Sequence, residues 1–333
     1  MTRLRSWIVL PLALSTLAIA NSASPLPPQV APQYRVDVTA IQTDVLILDD
    51  KGLPVSGLAL DDFEVYEDGV RQRLDSVQMI GSSSDEAAEV TPRRFVFVIN
   101  RLGARFSSLV RARDALEGFV TAFLTENDEV MVVDIGYSVK VLQQFGASKD
   151  ATIGAIRNLP LLRVDYHHYP HSGERYVYEA LRSLGQELAG LPGRKTIIFL
   201  SNELHTRRFL VDINDTVDAL NESNSTVYSI DLELAHQRRF FRRHARYAVG
   251  GLSPLANETG GRYFYNQTSI EPSVRRIGEE NSSYYLLSFT SSNRARDGKY
   301  RKLQIEVRRP GLKVVARRGY VAPKVDRAGV AGR

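Results

Sequence analysis

Short uninterrupted apolar runs alternate with segments of helical spacing through the middle of the chain. The runs are Phe95–Ile99, Val130–Ile135, Thr196–Leu200 and Thr226–Ile230. Between or after them, apolar residues recur at three- and four-residue spacing over Leu109–Leu124, Tyr176–Leu188 and Asp212–Asn221. Val139–Phe145 reads as an edge strand or hairpin partner of Val130–Ile135. Gly260–Tyr265 and a polar helix near Ile270–Glu280 complete the series. Strands that are apolar throughout, separated by helices, predict βαβ units: a parallel sheet covered by helices on both faces.

The pattern changes on either side. From Tyr34 the alternation of Val36, Val38, Val45 and Ile47 is that of strands. Asp49–Leu58 supplies turn residues, and Asp61–Gln72 holds a short strand with an Asp68-Gly69 turn. From Ser283 the character is again β, in Tyr284–Thr290, Arg301–Arg309 and Leu312–Arg318. Each piece is too small to bury a core alone, so the two are expected to form one β-sandwich in which the α/β unit is inserted. The expected layout is 1–23 leader, 24–33 proline-rich linker, 34–80 first β segment, 81–93 polar linker, 94–282 α/β domain, 283–323 second β segment and 324–333 tail.

The leader comes from a second pattern. Arg3 and Arg5 precede an apolar run from Trp7 to Ala20, and small residues close it at Ala18-Ile19-Ala20 or Asn21-Ser22-Ala23. That is the arrangement of a secretory signal peptide, and the run is short for a membrane span. The expected location is periplasmic or extracellular, with no span left after cleavage. At 333 residues and 43% hydrophobic, the chain can hold two ordinary domains. The absence of cysteine excludes disulfides and thiolate metal sites.

Chemistry concentrates at "FVFVINRLGARFSSL", Phe95–Leu109: a buried strand, a polar turn with a glycine, then a helix. The carboxyl ends of strands in such sheets are where ligands bind. Yet the first residue after the apolar run is the neutral Asn100, whose simplest alternative role is to cap the helix. No Gly-x-Ser-x-Gly elbow, phosphate loop or preferred carboxylate pair occurs elsewhere, so an enzyme is not expected.

Four stretches carry a resemblance. "TDVLILDDKGLPVSGLALDDFEVYEDGVRQ" precedes the α/β unit, and "RRFVFVINRLGARFSSLVRARDALEGFVTAFLTENDEVMVVDIG" opens it. "GRKTIIFLSNELHTRR" lies in its middle, and "DGKYRKLQIEVRRPGLKVVARRGYVAP" closes the chain. Together they cover most of residues 34–323, and the chain resembles the bacterial von Willebrand factor A-related proteins. That resemblance implies a Rossmann-like, doubly wound domain that binds protein partners through a divalent cation. The cation motif is Asp-x-Ser-x-Ser after the first strand, a threonine on a second loop and an aspartate after a later strand. Here those positions fall on Asn100, Leu102 and Ala104, near Arg175, and on Asn202. Two anions have become amides, two hydroxyls aliphatic side chains, and the threonine a guanidinium that would repel a divalent ion. The resemblance therefore implies a degenerate adhesion site with no bound cofactor, and a partner-binding face around Asn100, Leu102, Ala104, Arg175, Asn202 and His205.

Two other chemistries lie near that face or beyond it. His167, His168 and His171, with His205, could hold Zn²⁺ and support metal-dependent hydrolysis, although the spacing matches no known ligand pattern. "HQRRFFRRHAR" places Arg238, Arg239, Arg242, Arg243 and Arg246 beside two phenylalanines. After Ser292, thirteen Lys or Arg face only Asp297, Glu306 and Asp326. These clusters suit an acidic polysaccharide or lipid headgroups, and an exported location disfavours nucleic acid. For the C-terminal cluster the alternative is pairing with the acidic Asp61, Asp62, Glu64, Glu67 and Asp68.

Overall fold

The computed structural model describes residues 40–81, 92–162, 164, 173–191, 193–204, 209–233, 250–265, 267–317 and 319–322. Four strands come first: β1 (Ala40–Leu48), β2 (Phe63–Glu67), β3 (Val70–Gln72) and β4 (Leu74–Gly81). The α/β unit follows with β5 (Arg94–Asn100), α1 (Phe106–Phe123), β6 (Glu129–Ile135), β7 (Val139–Gln143), α2 (Lys149–Arg157) and α3 (Gly173–Leu188). It continues through β8 (Lys195–Ser201), α4 (Leu210–Glu222), β9 (Ser225–Asp231), α5 (Leu252–Glu258), β10 (Tyr263–Phe264) and α6 (Glu271–Glu280). The last strands are β11 (Ser283–Thr290), β12 (Tyr300–Val307), β13 (Lys313–Ala316) and β14 (Gly319–Val321).

The middle sheet has the order β10-β9-β8-β5-β6-β7 and is parallel except for β7, which runs antiparallel to β6. Side chains alternate between two cores. Phe95, Phe97 and Ile99 pack with α1 and α6, whereas Val96 and Val98 pack with α3 and α4. Burial on both faces is why these strands read as continuous apolar runs. From β5 the chain builds outward through β6 and β7, then returns to the other side of β5 for β8, β9 and β10. The order therefore reverses between β5 and β8, and the carboxyl ends of those two strands flank the switch point where ligands of open α/β sheets bind.

Strands from both ends of the described chain interleave in two antiparallel sheets, β13-β1-β11-β4 and β14-β12-β2-β3. Their inner faces share one apolar cluster, with Val45, Tyr285, Leu287 and Phe289 from the first sheet and Val65, Leu303, Ile305 and Tyr320 from the second. Val65 and Ile305 are direct cross-strand partners. The segment expected as one strand over Leu312–Arg318 ends at Ala316, and β14 then joins the second sheet. The other face of the first sheet carries Leu46, Leu48, Ile80, Tyr284 and Val315. There Asn224 of the turn before β9 donates to the buried Asp44 of β1 at 2.7 Å.

The C-terminal cations find the acidic partners named above. Arg308 pairs with Glu64 at 2.8 Å and Arg309 with Asp62 at 2.9 Å. Arg301 pairs with Asp297 at 2.8 Å and lies 4.0 Å from both Glu67 and Asp68. Hydrogen bonds from Ala59 and Arg309 hold the Asp62 carboxyl below its usual range, and those from Arg308 and Tyr66 do the same for Glu64. The basic stretch is thus spent in part on joining the two ends of the chain.

Candidate functional site at the strand switch point

Asn100 ends β5 and is fully buried. Its Nδ2 donates to Ser201 Oγ of β8 at 2.9 Å, across the switch point, and its Oδ1 accepts from the Leu102 backbone N–H at 3.1 Å. Ser201 Oγ donates in turn to the Asn202 carbonyl at 2.6 Å. Asn100 does not cap the following helix: the N-cap of α1 is Arg105, with no side-chain hydrogen bond. The amide is used across strands instead.

Beside this network is an ion pair that the sequence did not single out. Arg101 donates from Nε to Asp134 Oδ1 at 2.5 Å and from Nη2 to Oδ2 at 2.9 Å, and its Nη1 donates to the Leu162 carbonyl at 2.6 Å. Both residues are buried, and Asp134 stands one position before the end of β6. Gly136 makes room for the guanidinium, since a Cβ there would lie 2.1 Å from Arg101 Nη2. The loop over the strand ends is clipped down by Gly103 N–H to the Val164 carbonyl at 2.8 Å and Val164 N–H to the Arg101 carbonyl at 3.3 Å. A lone aspartate ending the apolar run Val130–Val133 was the available signal, and it has meaning only once Arg101 is beside it.

The other expected site residues fall as follows. Leu102 and Ala104 have no exposed surface and pack into the two cores, so a partner cannot touch them or Asn100 directly; they support the face from beneath. Arg175, expected to bring the positive charge into the pocket, is exposed at the start of α3 and pairs with Asp212 of α4 at 3.2 Å. The guanidinium next to Asn100 belongs to Arg101. Asn202 is half-buried, followed by Glu203, whose carboxylate accepts from the Leu252 N–H at the start of α5 at 3.3 Å and from the Tyr263 hydroxyl. Gly250 allows that approach, because a Cβ would lie 2.1 Å from Glu203 Oε1. His167, His168, His171, His205 and the Arg238–Arg246 cluster lie outside the described residues.

A divalent cation requires free oxygen ligands. Asn100 Oδ1 is engaged by Leu102 N–H, the Ser201 proton goes to a carbonyl, and positions 102 and 104 are hydrocarbon. Asp134, the carboxylate next to β5, is neutralised at both oxygens by Arg101. These residues do not fit the cation of the adhesion motif. Among the described residues, no group of three or more His, Asp or Glu is arranged to hold a metal ion.

What the face does offer is apolar. Phe106, Tyr137, Leu162, Leu210, Val211 and Tyr265 are exposed by between 50% and 78%. Phe106, Leu210 and Val211 open α1 and α4, Tyr137 follows β6, Leu162 caps the strand ends and Tyr265 follows β10. By topology all six stand at the carboxyl end of the parallel sheet. Tyr265 packs on Tyr263, their ring centroids 5.8 Å apart, which ties it to Glu203.

No family model matches the chain, and no curated protein does. Among solved structures it is similar to the conserved hypothetical protein BatB from Bacteroides thetaiotaomicron, with TM-score 0.42 and 11% identity over 57% of this chain and 97% of that one. An aerotolerance-related membrane protein from Bacteroides fragilis has TM-score 0.38 and 12% identity, covering 57% of this chain and 98% of that one. Proximal thread matrix protein 1 from the mussel byssus has TM-score 0.40 and 11% identity over 58% of this chain and 48% of that one. Likenesses this distant identify neither a family nor an activity. Among the described residues, no helix is long and apolar enough to cross a membrane.

Proposed function

We propose that this is an exported, non-catalytic interaction protein built on a von Willebrand factor A-like domain, residues 94–282, inserted in a β-sandwich of residues 34–80 and 283–323. It binds a protein partner at the carboxyl end of the parallel sheet without a resident cation. The observation that carries the reading is the group of six large apolar side chains around a switch point whose polar groups already satisfy one another. Large apolar side chains exposed together at one end of a fold mark protein contact sites, and aromatic residues are enriched where binding energy concentrates. The sealed network below gives the loops a rigid base, which lowers the ordering cost of binding.

The N-terminal Arg3, Arg5 and the apolar run Trp7–Ala20 support export. The pairing of Arg301, Arg308 and Arg309 with carboxylates argues against the C-terminal strands as a free anion-binding surface. The test is capture of a partner from the envelope or culture fluid of the source cell by immobilised chain, with and without EDTA. A partner retained in EDTA and lost with Leu162→Asp/Leu210→Asp supports the reading. A partner released by EDTA, or indifferent to those substitutions, contradicts it.

A further inference from the structure

Helices α1 and α6 leave a cleft of about 580 Å³ between them, and none of the paired groups at the switch point lines it. Its floor is Phe119, Phe123, Ile270 and Val274. Phe119 packs edge-on against Phe95 and Phe97, with centroids 5.3 and 5.6 Å away, so the floor is anchored on the sheet. The groove is open where α1 could have filled it: Gly118 lines the wall, and a Cβ there would meet no heavy atom within 4 Å. Volume and lining suit a small ligand with much apolar surface and few polar groups.

The charges on the rim are matched, with one exception. Asp114 pairs with Arg113 at 3.0 Å, Glu271 with Arg275 at 2.7 Å and Glu279 with Arg276 at 3.9 Å. Among the described residues Arg111 has no carboxylate partner: Nη2 donates to Ser108 Oγ at 3.0 Å, and Nε is buried with no acceptor. Desolvation disfavours its charged form, yet a guanidinium does not give up its proton in a protein. An anionic acceptor would satisfy it. Arg111, Ala115, Gly118 and Ala122 recur at three- and four-residue spacing, so they share one stripe of α1. From Arg111 to Phe123 that stripe is about 18 Å long at the rise of an α-helix.

We propose that the cleft binds a single-chain anionic amphiphile, its carboxylate on Arg111 and its aliphatic tail laid along Gly118 over Phe119, Phe123 and Val274. Arg275 also lines the cleft but is paired with Glu271, so length, floor and the one cation that lacks a carboxylate among the described residues together define that ligand: a tail with one negative head, and neither a cationic nor a headless chain. None of the six side chains of the proposed partner face lines the cleft, and the proposal does not depend on that reading.

Calorimetric titration of the delipidated full chain with dodecanoate, below its micelle threshold, tests this. Saturable one-to-one binding is expected, with dodecanol and dodecyltrimethylammonium at least about tenfold weaker, the scale of a charge-assisted hydrogen bond. Arg111→Gln should bring dodecanoate down to the level of dodecanol. Gly118→Leu should abolish binding of every chain while keeping or raising the melting temperature, since leucine is the better helix former. If Gly118→Leu does not fold, Arg111→Gln carries the test alone. No saturable binding by the native chain, equal binding of the cationic probe, dodecanoate binding unchanged in Arg111→Gln, or binding unchanged in a folded Gly118→Leu variant would each overturn the proposal.

Discussion

Arg101, the residue after Asn100, grips both carboxylate oxygens of Asp134 from the neighbouring strand, at 2.5 and 2.9 Å. The pair neutralises a buried carboxylate that sits opposite Ile99 on the neighbouring strand, one residue from Asn100.

Because both partners are buried, removing one leaves the other unpaired. Asp134→Ala should cost about 3–5 kcal/mol by chemical denaturation. The double substitution Arg101→Met/Asp134→Leu should cost less than Asp134→Ala alone, since a well-packed apolar pair can replace a buried ion pair. Equal or additive losses would mean that the pair is not the unit of stability here.

Asn100→Asp puts back the anion of the adhesion motif without its other ligands. It should lose the donated bond to Ser201 and destabilise the fold by about 1–3 kcal/mol. It should still show no saturable Mg²⁺ binding, because residues 102 and 104 supply no oxygen and Arg101 stays. Calorimetry and denaturation of the one variant check both statements.

Lys195 and the tyrosines give stability a maximum in alkali. Burial, with Arg94 nearby, pulls the Lys195 ammonium down to about 8 from its ordinary 10.5, although Nζ donates to the Leu191 and Ser223 carbonyls. Between those two values the unfolded chain holds more protons than the folded one, so stability rises with pH there, by roughly 2–3 kcal/mol from this group. Burial pushes Tyr320 up to about 12 and raises Tyr284 and Tyr228 as well. These groups withhold protons from solvent that the unfolded chain releases above about pH 10, so stability falls again beyond it. Denaturation from pH 7 to 11 should show the maximum near pH 10, and Lys195→Met should flatten the rising limb.

The apolar face should be separable from the fold. Leu162→Asp and Leu210→Asp change exposed side chains and should shift stability by no more than about 0.5 kcal/mol, while abolishing partner capture. A large loss of stability would reassign these residues to packing.

The sheet was legible because burial on both faces makes β5, β6, β8 and β9 apolar throughout, and the flanking strands because alternation marks a half-buried sheet. Helix α2 leaves little trace in the sequence: nine residues long and started by Ser148 accepting from Ala151 N–H, it buries only Thr152 and Ile156. Helix α5 was missed because it is seven residues long, with Pro254 in its first turn, where proline is tolerated. Asn100 ends β5 and Asn202 follows β8, which the end of each apolar run already marks. The sequence does not show that Arg101 turns inward to Asp134, or that Arg175 turns to Asp212. Those choices depend on which side chains meet across strands and helices far apart in the chain.

Calorimetric titration of the mature chain with Mg²⁺ and Mn²⁺, repeated with Zn²⁺ for the histidines, tests the central claim most directly. No saturable heat is expected with Mg²⁺ or Mn²⁺ up to about 1 mM. One-to-one binding of either ion tighter than that, lost in Asn100→Ala, would show that the switch point is a working cation site and contradict the account.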